Sequence, residues 1–225
     1  DSDTDYMPLT VDYEDKFYSA GKIPGSRFIK REGRPSEEAI LSGRVIDRTI
    51  RPLFDQRIRR PIQVVATTLS YDGENDPDFV ALIAASTALA VSDIPWGGPV
   101  AGVSVAKTEG GFFVNPKNSD INEGKASLRA FFAGTDEHIN MIELAGNEAG
   151  DGEVIEAAKV ALAATKELVE FQNEIVKKIG KEKIKIDQNA AGKQLRFALD
   201  ALIKKIIPKI DATYGVITPT PVKGN

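Results

Sequence analysis

The chain has 225 residues, of which 42% are hydrophobic and 28% charged, so it can bury the core of at least one domain. It has no cysteine and one histidine, which excludes a disulfide scaffold, a cysteine nucleophile and a polyhistidine metal centre within one chain. The 29 basic and 33 acidic residues give a net charge of −4, which argues against a histone-like binder. No apolar run is as long as a membrane span and the N-terminus is acidic, so the sequence predicts a soluble, cytoplasmic protein with no membrane partner.

The first half of the chain predicts a strand, a helix, a second strand and a second helix. Residues 8–11 favour a short strand, and Ser36 is typical of the N-cap of a helix that ends at Pro52. A β-branched run predicts a strand over residues 62–70. Asp76 and Pro77 begin a helix that reaches about residue 91, and its many alanines predict burial on nearly all sides. The apolar stripe of the first helix is expected to be Ile40, Leu41, Val45, Ile46 and Ile50.

The second half predicts short strands followed by a long helix. The strands are expected over residues 100–106, 112–114, 128–132 and 139–144, with a hairpin turn at residues 109–111. A helix runs from about residue 151 to residue 179, where Gly180 stops it. Its apolar stripe includes Val154, Ile155, Leu168 and Val169. This mixture of strands and helices predicts an α+β fold.

The positive charge is concentrated near the beginning of the chain. Between Lys22 and Arg60 there are eleven basic and five acidic residues, a local charge of +6 that leaves −10 for the rest. Nine of the ten cations from Arg27 onward are arginine, whose planar guanidinium matches a phosphate as lysine cannot. The segment therefore predicts an anionic partner bound at a defined place. The alternative is a solvated surface whose arginines pair with the nearby acids Glu37, Glu38 and Asp47.

Two groups of these cations are candidates for binding single-stranded nucleic acid. A glycine-bounded loop places an aromatic ring among cations, and a ring can stack on any base while cations follow the phosphates. The loop residues are Phe28, Lys30, Arg31 and Arg34. The helix that follows carries Arg44, Arg48 and Arg51 on one face, and Asp47 among them is expected to hold an arginine in place. The alternative is that Phe28 packs into the core and the cations are merely solvated.

Other segments of the chain contain few candidates for catalytic or ligand-binding residues. His138 precedes a strand with no triad partner nearby in sequence and is expected to be structural or exposed. The acidic pair Asp76 and Asp78 lies at a helix start, where capping and the helix dipole explain it. Neither a P-loop nor a dinucleotide-binding glycine motif is present, which argues against a nucleotide triphosphatase or a dehydrogenase.

Several motifs, in order and at matching spacing, resemble the bacterial polynucleotide phosphorylase family. They include AGKIPG from residue 20, REGRPSE from residue 31, RVIDRTIRPLF from residue 44 and IPWGGP from residue 94. The resemblance extends from residue 8 to about residue 180. It implies an RNase PH-like fold, related to domain 2 of ribosomal protein S5, over residues 1–183, without the strands that open such a domain. Residues 184–225 would then be a linker and the start of an all-helical domain.

The resemblance also implies an activity. Family members are polyribonucleotide nucleotidyltransferases, which use inorganic phosphate to degrade RNA from its 3′ end to nucleoside diphosphates. They work as homotrimers around a central channel and use a divalent metal, usually Mg²⁺. Their first domain grips RNA through a loop that matches Phe28, Ile29, Lys30 and Arg31 here. Ile29 replaces a second aromatic residue of that loop.

Where the family's catalytic second domain has an aspartate and a lysine, this sequence has Arg129 and Phe131. A guanidinium cannot hold Mg²⁺, and a phenyl ring cannot stabilise developing phosphate charge. We therefore expect no catalytic residue and no metal ligand in this chain, which would guide RNA and build the trimer. The alternative is a non-enzymatic RNA-binding or assembly module.

Overall fold

The structure is a computed structural model that describes residues 6–23, 25, 33–121, 126–185 and 199–208. These residues divide into two compact units, one that ends at Ile184 and one that begins at Lys185. In the second unit, residues 199–208 are helical, and the apolar side chains of Leu199, Leu202 and Ile206 are exposed. The assignment of this unit to an all-helical domain stays a prediction.

The first part of the large unit is a strand–helix–strand arrangement. Strand β1 (Leu9–Asp15) and strand β2 (Ile62–Thr68) pair in parallel, with Leu9 opposite Ile62. Parallel neighbours need a crossover connection, and helix α1 (Glu37–Ile50) provides it. Helix α2 (Asp78–Val91) follows β2. The predicted order of elements is confirmed.

The second part is a four-stranded antiparallel sheet covered by a long helix. Its strands β3 (Ala101–Thr108), β4 (Gly111–Val114), β5 (Leu128–Gly134) and β6 (Ile139–Gly146) lie in the order β4-β3-β5-β6. A short helix α3 (Asn118–Ile121) lies between β4 and β5. Helix α4 (Asp151–Ile179) packs on the sheet, and Val105, Leu128 and Phe132 are fully buried beneath it. The combination is an α+β fold, as predicted.

The predicted apolar faces of α1 and α2 are wrong in part. Ile40 and Leu41 of α1 are 53% and 58% exposed, whereas Gly43 is buried. A Cβ atom at Gly43 would lie 3.5 Å from the backbone nitrogen of Tyr13, so α1 approaches β1 closely through its small residues. Small residues therefore occupy the part of the buried face that meets β1, and the rest of that face is formed by the predicted Val45, Ile46 and Ile50.

Helix α2 is not buried on all sides. Val80, Ala84 and Ala88 line an open cleft of about 880 Å³ between α2 and β2. In the same way, α4 buries Ala157 and Ala161 against the sheet, while Ile155 is 56% exposed. Within the described ranges, no helix has both the length and the apolar character needed to cross a bilayer.

The chain after α4 is fixed to the end of α2. The Lys183 ammonium donates hydrogen bonds to the carbonyl oxygens of Leu89, Ala90 and Ser92, at 2.7 to 2.9 Å. These carbonyls lie at the C-terminus of α2, where the helix dipole favours a cation. Burial lowers the pKa of Lys183 from its usual value. One side chain therefore satisfies carbonyls at the end of α2, and it anchors residues 180–184 together with backbone hydrogen bonds from Lys181 and Ile184.

Candidate nucleic-acid interface

Helix α1 carries the arginine-rich surface, and both of its ends are fixed. At its start, Ser36 Oγ accepts a hydrogen bond from the backbone nitrogen of Ala39 at 3.0 Å and donates one to Asp15 Oδ2 at 3.2 Å. This confirms the predicted N-cap and joins α1 to the end of β1. At its other end, the Trp96 indole nitrogen donates to the Ile50 carbonyl at 3.1 Å. These hydrogen bonds fix both ends of α1 to neighbouring elements and so set which of its faces is exposed.

Three of the predicted arginines have similar environments, one in the segment before α1 and two on the helix itself. Arg34, Arg44 and Arg48 are exposed, and none of them has a hydrogen bond or ion pair to another described residue. Such side chains are available to an anion, and they lose side-chain rotamer freedom only on binding it. The alternative interpretation, in which the arginines pair with Glu37, Glu38 and Asp47, therefore does not hold for these three arginines within the described residues.

Arg51, at the C-cap of α1, is held on two sides. Its Nε donates to Asp47 Oδ2 at 3.0 Å, and its Nη2 donates to Asp47 Oδ1 at 2.5 Å and to the Leu9 carbonyl at 3.0 Å. The side chain of Arg51 remains 39% exposed. The prediction that Asp47 holds an arginine is confirmed, and the structure adds that the arginine also contacts β1.

The structure brings two of the predicted residues to one cleft. Arg44, Asp47 and Arg51 line a cleft of about 470 Å³ between α1 and the two parallel strands. Asp12 lies on its other side and accepts a hydrogen bond from Gln63 at 2.9 Å. Arg48 is not among the residues that line this cleft. The predicted residues Phe28, Lys30 and Arg31 lie outside the described residues.

A second cluster of polar side chains lies where α1 meets α2. Ser42 Oγ lies 2.6 Å from Asp78 Oδ2 and 3.0 Å from the Glu38 carbonyl, and it has one hydrogen to donate. Burial raises the pKa of Asp78 to about 6, and repulsion from Asp76 adds to the shift. Burial also raises the pKa of Tyr13, which faces this cluster, to about 12.

The prediction that capping and the helix dipole explain Asp76 and Asp78 therefore holds only in part. The N-cap of α2 is Pro77, and Asp76 just before it accepts a hydrogen bond on Oδ1 from the backbone nitrogen of Asp78 at 3.1 Å. The Asp78 side chain instead packs against Ser42. The helix dipole would lower its pKa, so the raised value means that burial outweighs the dipole there. The sequence signal that could have found this contact is absent, because Ser42 and Asp78 are 36 residues apart.

The residues at the expected inactive positions also have defined neighbours. Arg129 Nη2 lies 3.4 Å from Asp76 Oδ2, and both residues line a cleft of about 490 Å³ with Phe131. Among the described residues, no three histidine or acidic side chains are grouped so as to hold a metal ion. His138 is exposed, as expected, and its ring nitrogen lies 3.8 Å from Glu137.

Two family models match this chain over consecutive segments. Residues 1–95 match domain 1 of the 3′ exoribonuclease family, and residues 98–164 match domain 2 of the same family. The second segment begins before β3 and ends within α4. The match thus includes the arginine-bearing helix, the antiparallel sheet and part of its covering helix.

Similar curated proteins carry the name polyribonucleotide nucleotidyltransferase. The one from Exiguobacterium sibiricum is 49% identical over 181 residues, which are 80% of this chain and 24% of that protein. The one from Clostridioides difficile is 46% identical over 207 residues, 90% of this chain and 29% of that protein. The one from Thermotoga petrophila is 44% identical over 201 residues, which are 89% of this chain and 28% of that protein. The chain thus spans about a quarter of the length of these relatives.

Proposed function

Because this chain belongs to the 3′ exoribonuclease family, we propose that it is the RNA-guiding part of a polyribonucleotide nucleotidyltransferase. The observation that carries the proposal is the exposed face of α1, where Arg44 and Arg48 have no partner among the described residues. Cations without internal partners on a fixed helix suit the phosphates of single-stranded RNA. The proposal also assigns RNA binding to Arg34 and, from the sequence alone, to Phe28, Lys30 and Arg31.

The activity belongs, in this proposal, to the longer enzyme. An oxygen of inorganic phosphate attacks the phosphorus of the last phosphodiester of RNA, and the bond from that phosphorus to the 3′ oxygen of the preceding nucleotide breaks. That oxygen takes up a proton and becomes the 3′-hydroxyl of the shortened RNA, and the last nucleotide leaves as a nucleoside diphosphate. The enzyme acts as a homotrimer around a channel and uses Mg²⁺. The residues of this chain do not fit that ion, because Arg129 stands beside Asp76 at the position that would need a ligand.

The chain by itself should therefore release no nucleoside diphosphate from RNA. We expect the signal from polyadenylate and inorganic phosphate to equal that of a heat-denatured sample, because Arg129 and Phe131 provide neither a metal ligand nor a stabilising cation at the right position. The measurement is chromatography of ADP, with a full-length relative assayed in parallel. Release of ADP by this chain alone would contradict the inactive assignment.

Replacing the exposed arginines should weaken RNA binding without unfolding the protein. We expect Arg44→Ala combined with Arg48→Ala to reduce the affinity for single-stranded oligoadenylate by about tenfold to a hundredfold at low salt, since each guanidinium makes a charge-assisted hydrogen bond. The slope of log affinity against log salt should fall by about 0.7 for each phosphate that the variant no longer neutralises. Fluorescence anisotropy with labelled RNA measures both quantities.

Arg57 provides a matched control because its charge is already paired with Asp55. Arg57→Ala removes one cation from the same region and should change RNA affinity far less than Arg44→Ala. Unchanged affinity and salt slope in the Arg44 and Arg48 variants would refute RNA binding by this face. If those variants instead alter the sedimentation of the protein, the face is an assembly surface, an outcome consistent with exposed Ile40 and Leu41 on the same helix.

A further inference from the structure

The arginines of α1 differ in how much freedom they keep. Arg44 and Arg48 have no partner among the described residues, whereas Arg51 is held by Asp47 and by the Leu9 carbonyl. A guanidinium carries five N–H donors. The three hydrogen bonds of Arg51 use the donor on Nε and both donors on Nη2. The two donors on Nη1 remain without a partner in the described part of the chain.

An arginine that protein groups already hold loses less side-chain entropy on binding a phosphate than a free arginine does. A free side chain must give up its rotamers when it docks, and that lost entropy weakens binding. Arg51 has already lost them, because a carboxylate one turn away and a carbonyl on β1 fix its planar group. The Asp47 charge acts in the opposite direction, since it repels an anion. Electrostatics alone thus predicts that Asp47 hinders RNA binding.

We propose that Asp47 is a positioning residue that fixes Arg51 so that its Nη1 donates to a phosphodiester oxygen of single-stranded RNA, in the cleft that Asp47 lines with Arg44 and Arg51. The inference rests on the proposed function, and it assigns different roles to the arginines of α1. Arg44 and Arg48 attract the RNA as mobile cations. Arg51 provides one oriented hydrogen bond that fixes the position of the backbone.

The decisive variant is Asp47→Asn, because the two explanations predict opposite signs. Asparagine replaces one of the two acceptor oxygens with an NH₂ group that only donates and carries no charge, so it cannot reproduce the two-oxygen pairing with Arg51 Nε and Nη2. We expect RNA affinity to fall by about fivefold although the protein has one negative charge fewer, and the salt slope to fall by about 0.7 because one phosphate is no longer neutralised. Fluorescence anisotropy of labelled oligoadenylate across a salt series measures both, and thermal unfolding of each variant checks that the fold is kept.

Asp12→Asn is the matched control. Asp12 lines the same cleft but contacts Gln63 rather than an arginine, and asparagine can still accept that hydrogen bond. Its loss of charge should leave RNA affinity unchanged or raise it, with the salt slope unchanged. The two aspartate variants therefore separate the position of Arg51 from the net charge of the cleft.

A double-mutant cycle tests whether Asp47 acts through Arg51. In an Arg51→Ala background, Asp47→Asn should no longer weaken binding, because no guanidinium is left to position. Equal weakening in both backgrounds, or tighter binding of Asp47→Asn alone, would overturn the inference. The Arg44 and Arg48 variants keep the two proposals distinguishable. If they weaken binding and Asp47→Asn does not, only the positioning role fails, whereas no effect of either arginine refutes the proposed function itself.

Discussion

Replacing Asp78 with asparagine should stabilise the protein at pH 8 by about 2 to 3 kcal/mol and have little effect at pH 4. Burial raises the pKa of this carboxyl group from 3.8 to about 6, so the folded state resists its ionisation. Below the unfolded pKa the group is neutral in both states and carries no penalty. As the pH rises toward 6 the penalty grows, and above pH 6 it is complete. Asparagine avoids it, and its side-chain amide can donate to Ser42 Oγ as the protonated carboxyl group does.

The hydrogen bonds between Asp78 and Ser42 explain why the neutral form fits well. When Asp78 is protonated it can donate to Ser42 Oγ, which then donates its own hydrogen to the Glu38 carbonyl. When Asp78 is ionised, Ser42 must choose one acceptor, and Asp15 and Asp76 repel the new charge. The wild-type protein should therefore become less stable between pH 4 and pH 6 through this pair of side chains.

Denaturant unfolding at pH 4.5, 6 and 8 tests the prediction, with Asp72→Asn as the control of opposite sign. The exposed Asp72 carboxylate accepts hydrogen bonds from the backbone nitrogens of Glu74 and Asn75, which lower its pKa to about 2. Its contribution to stability is present above pH 4 and is lost as the pH falls toward 2, so Asp72→Asn should not stabilise the protein at pH 8. An equal gain from Asp78→Asn at pH 4.5 and pH 8 would mean that ionisation is not the cause.

Replacing Gly134 with alanine should destabilise the protein by about 3 kcal/mol or more, because the new methyl group has no space. A Cβ atom there would lie 2.0 Å from the His138 carbonyl oxygen and 2.8 Å from Ile139 Cα. That oxygen accepts a hydrogen bond from the Thr135 backbone nitrogen at 2.9 Å, and the register between β5 and β6 shifts at this point. The backbone must move to admit the methyl group, which breaks the hydrogen bond that closes the turn.

Gly152→Ala is the matched substitution for Gly134→Ala. Gly152 lies in α4, and a Cβ atom there meets nothing within 4 Å. Alanine limits the unfolded chain more than glycine does, so this variant should be more stable by about 0.5 to 1 kcal/mol. Chemical denaturation of both variants compares them directly. A Gly134→Ala protein as stable as Gly152→Ala would show that the β5–β6 turn can shift without cost.

The faces of the helices were predictable only in part. The apolar pattern of α4 identifies a helix, but the side chains that it buries against the sheet include the small Ala157 and Ala161, whereas Ile155 is exposed. A hydropathy pattern gives most weight to large apolar side chains. Close packing of a helix on a sheet instead requires small side chains along the line of contact, and this line depends on the position of the sheet. The same reason explains Gly43 and the exposed Ile40 of α1.

The sequence by itself determined the features that depend on residues close together in the chain. The Ser36 cap, the end of α4 at Gly180 and the Asp47–Arg51 pair each join residues at most four apart, so spacing reveals them. The motif series also identifies the family. Only the tertiary structure decided that Arg51 contacts the Leu9 carbonyl, that Ser42 meets Asp78 and that Arg129 pairs with Asp76. These partners are 42, 36 and 53 residues apart, and the packing of separate elements, rather than any local preference, brings them together.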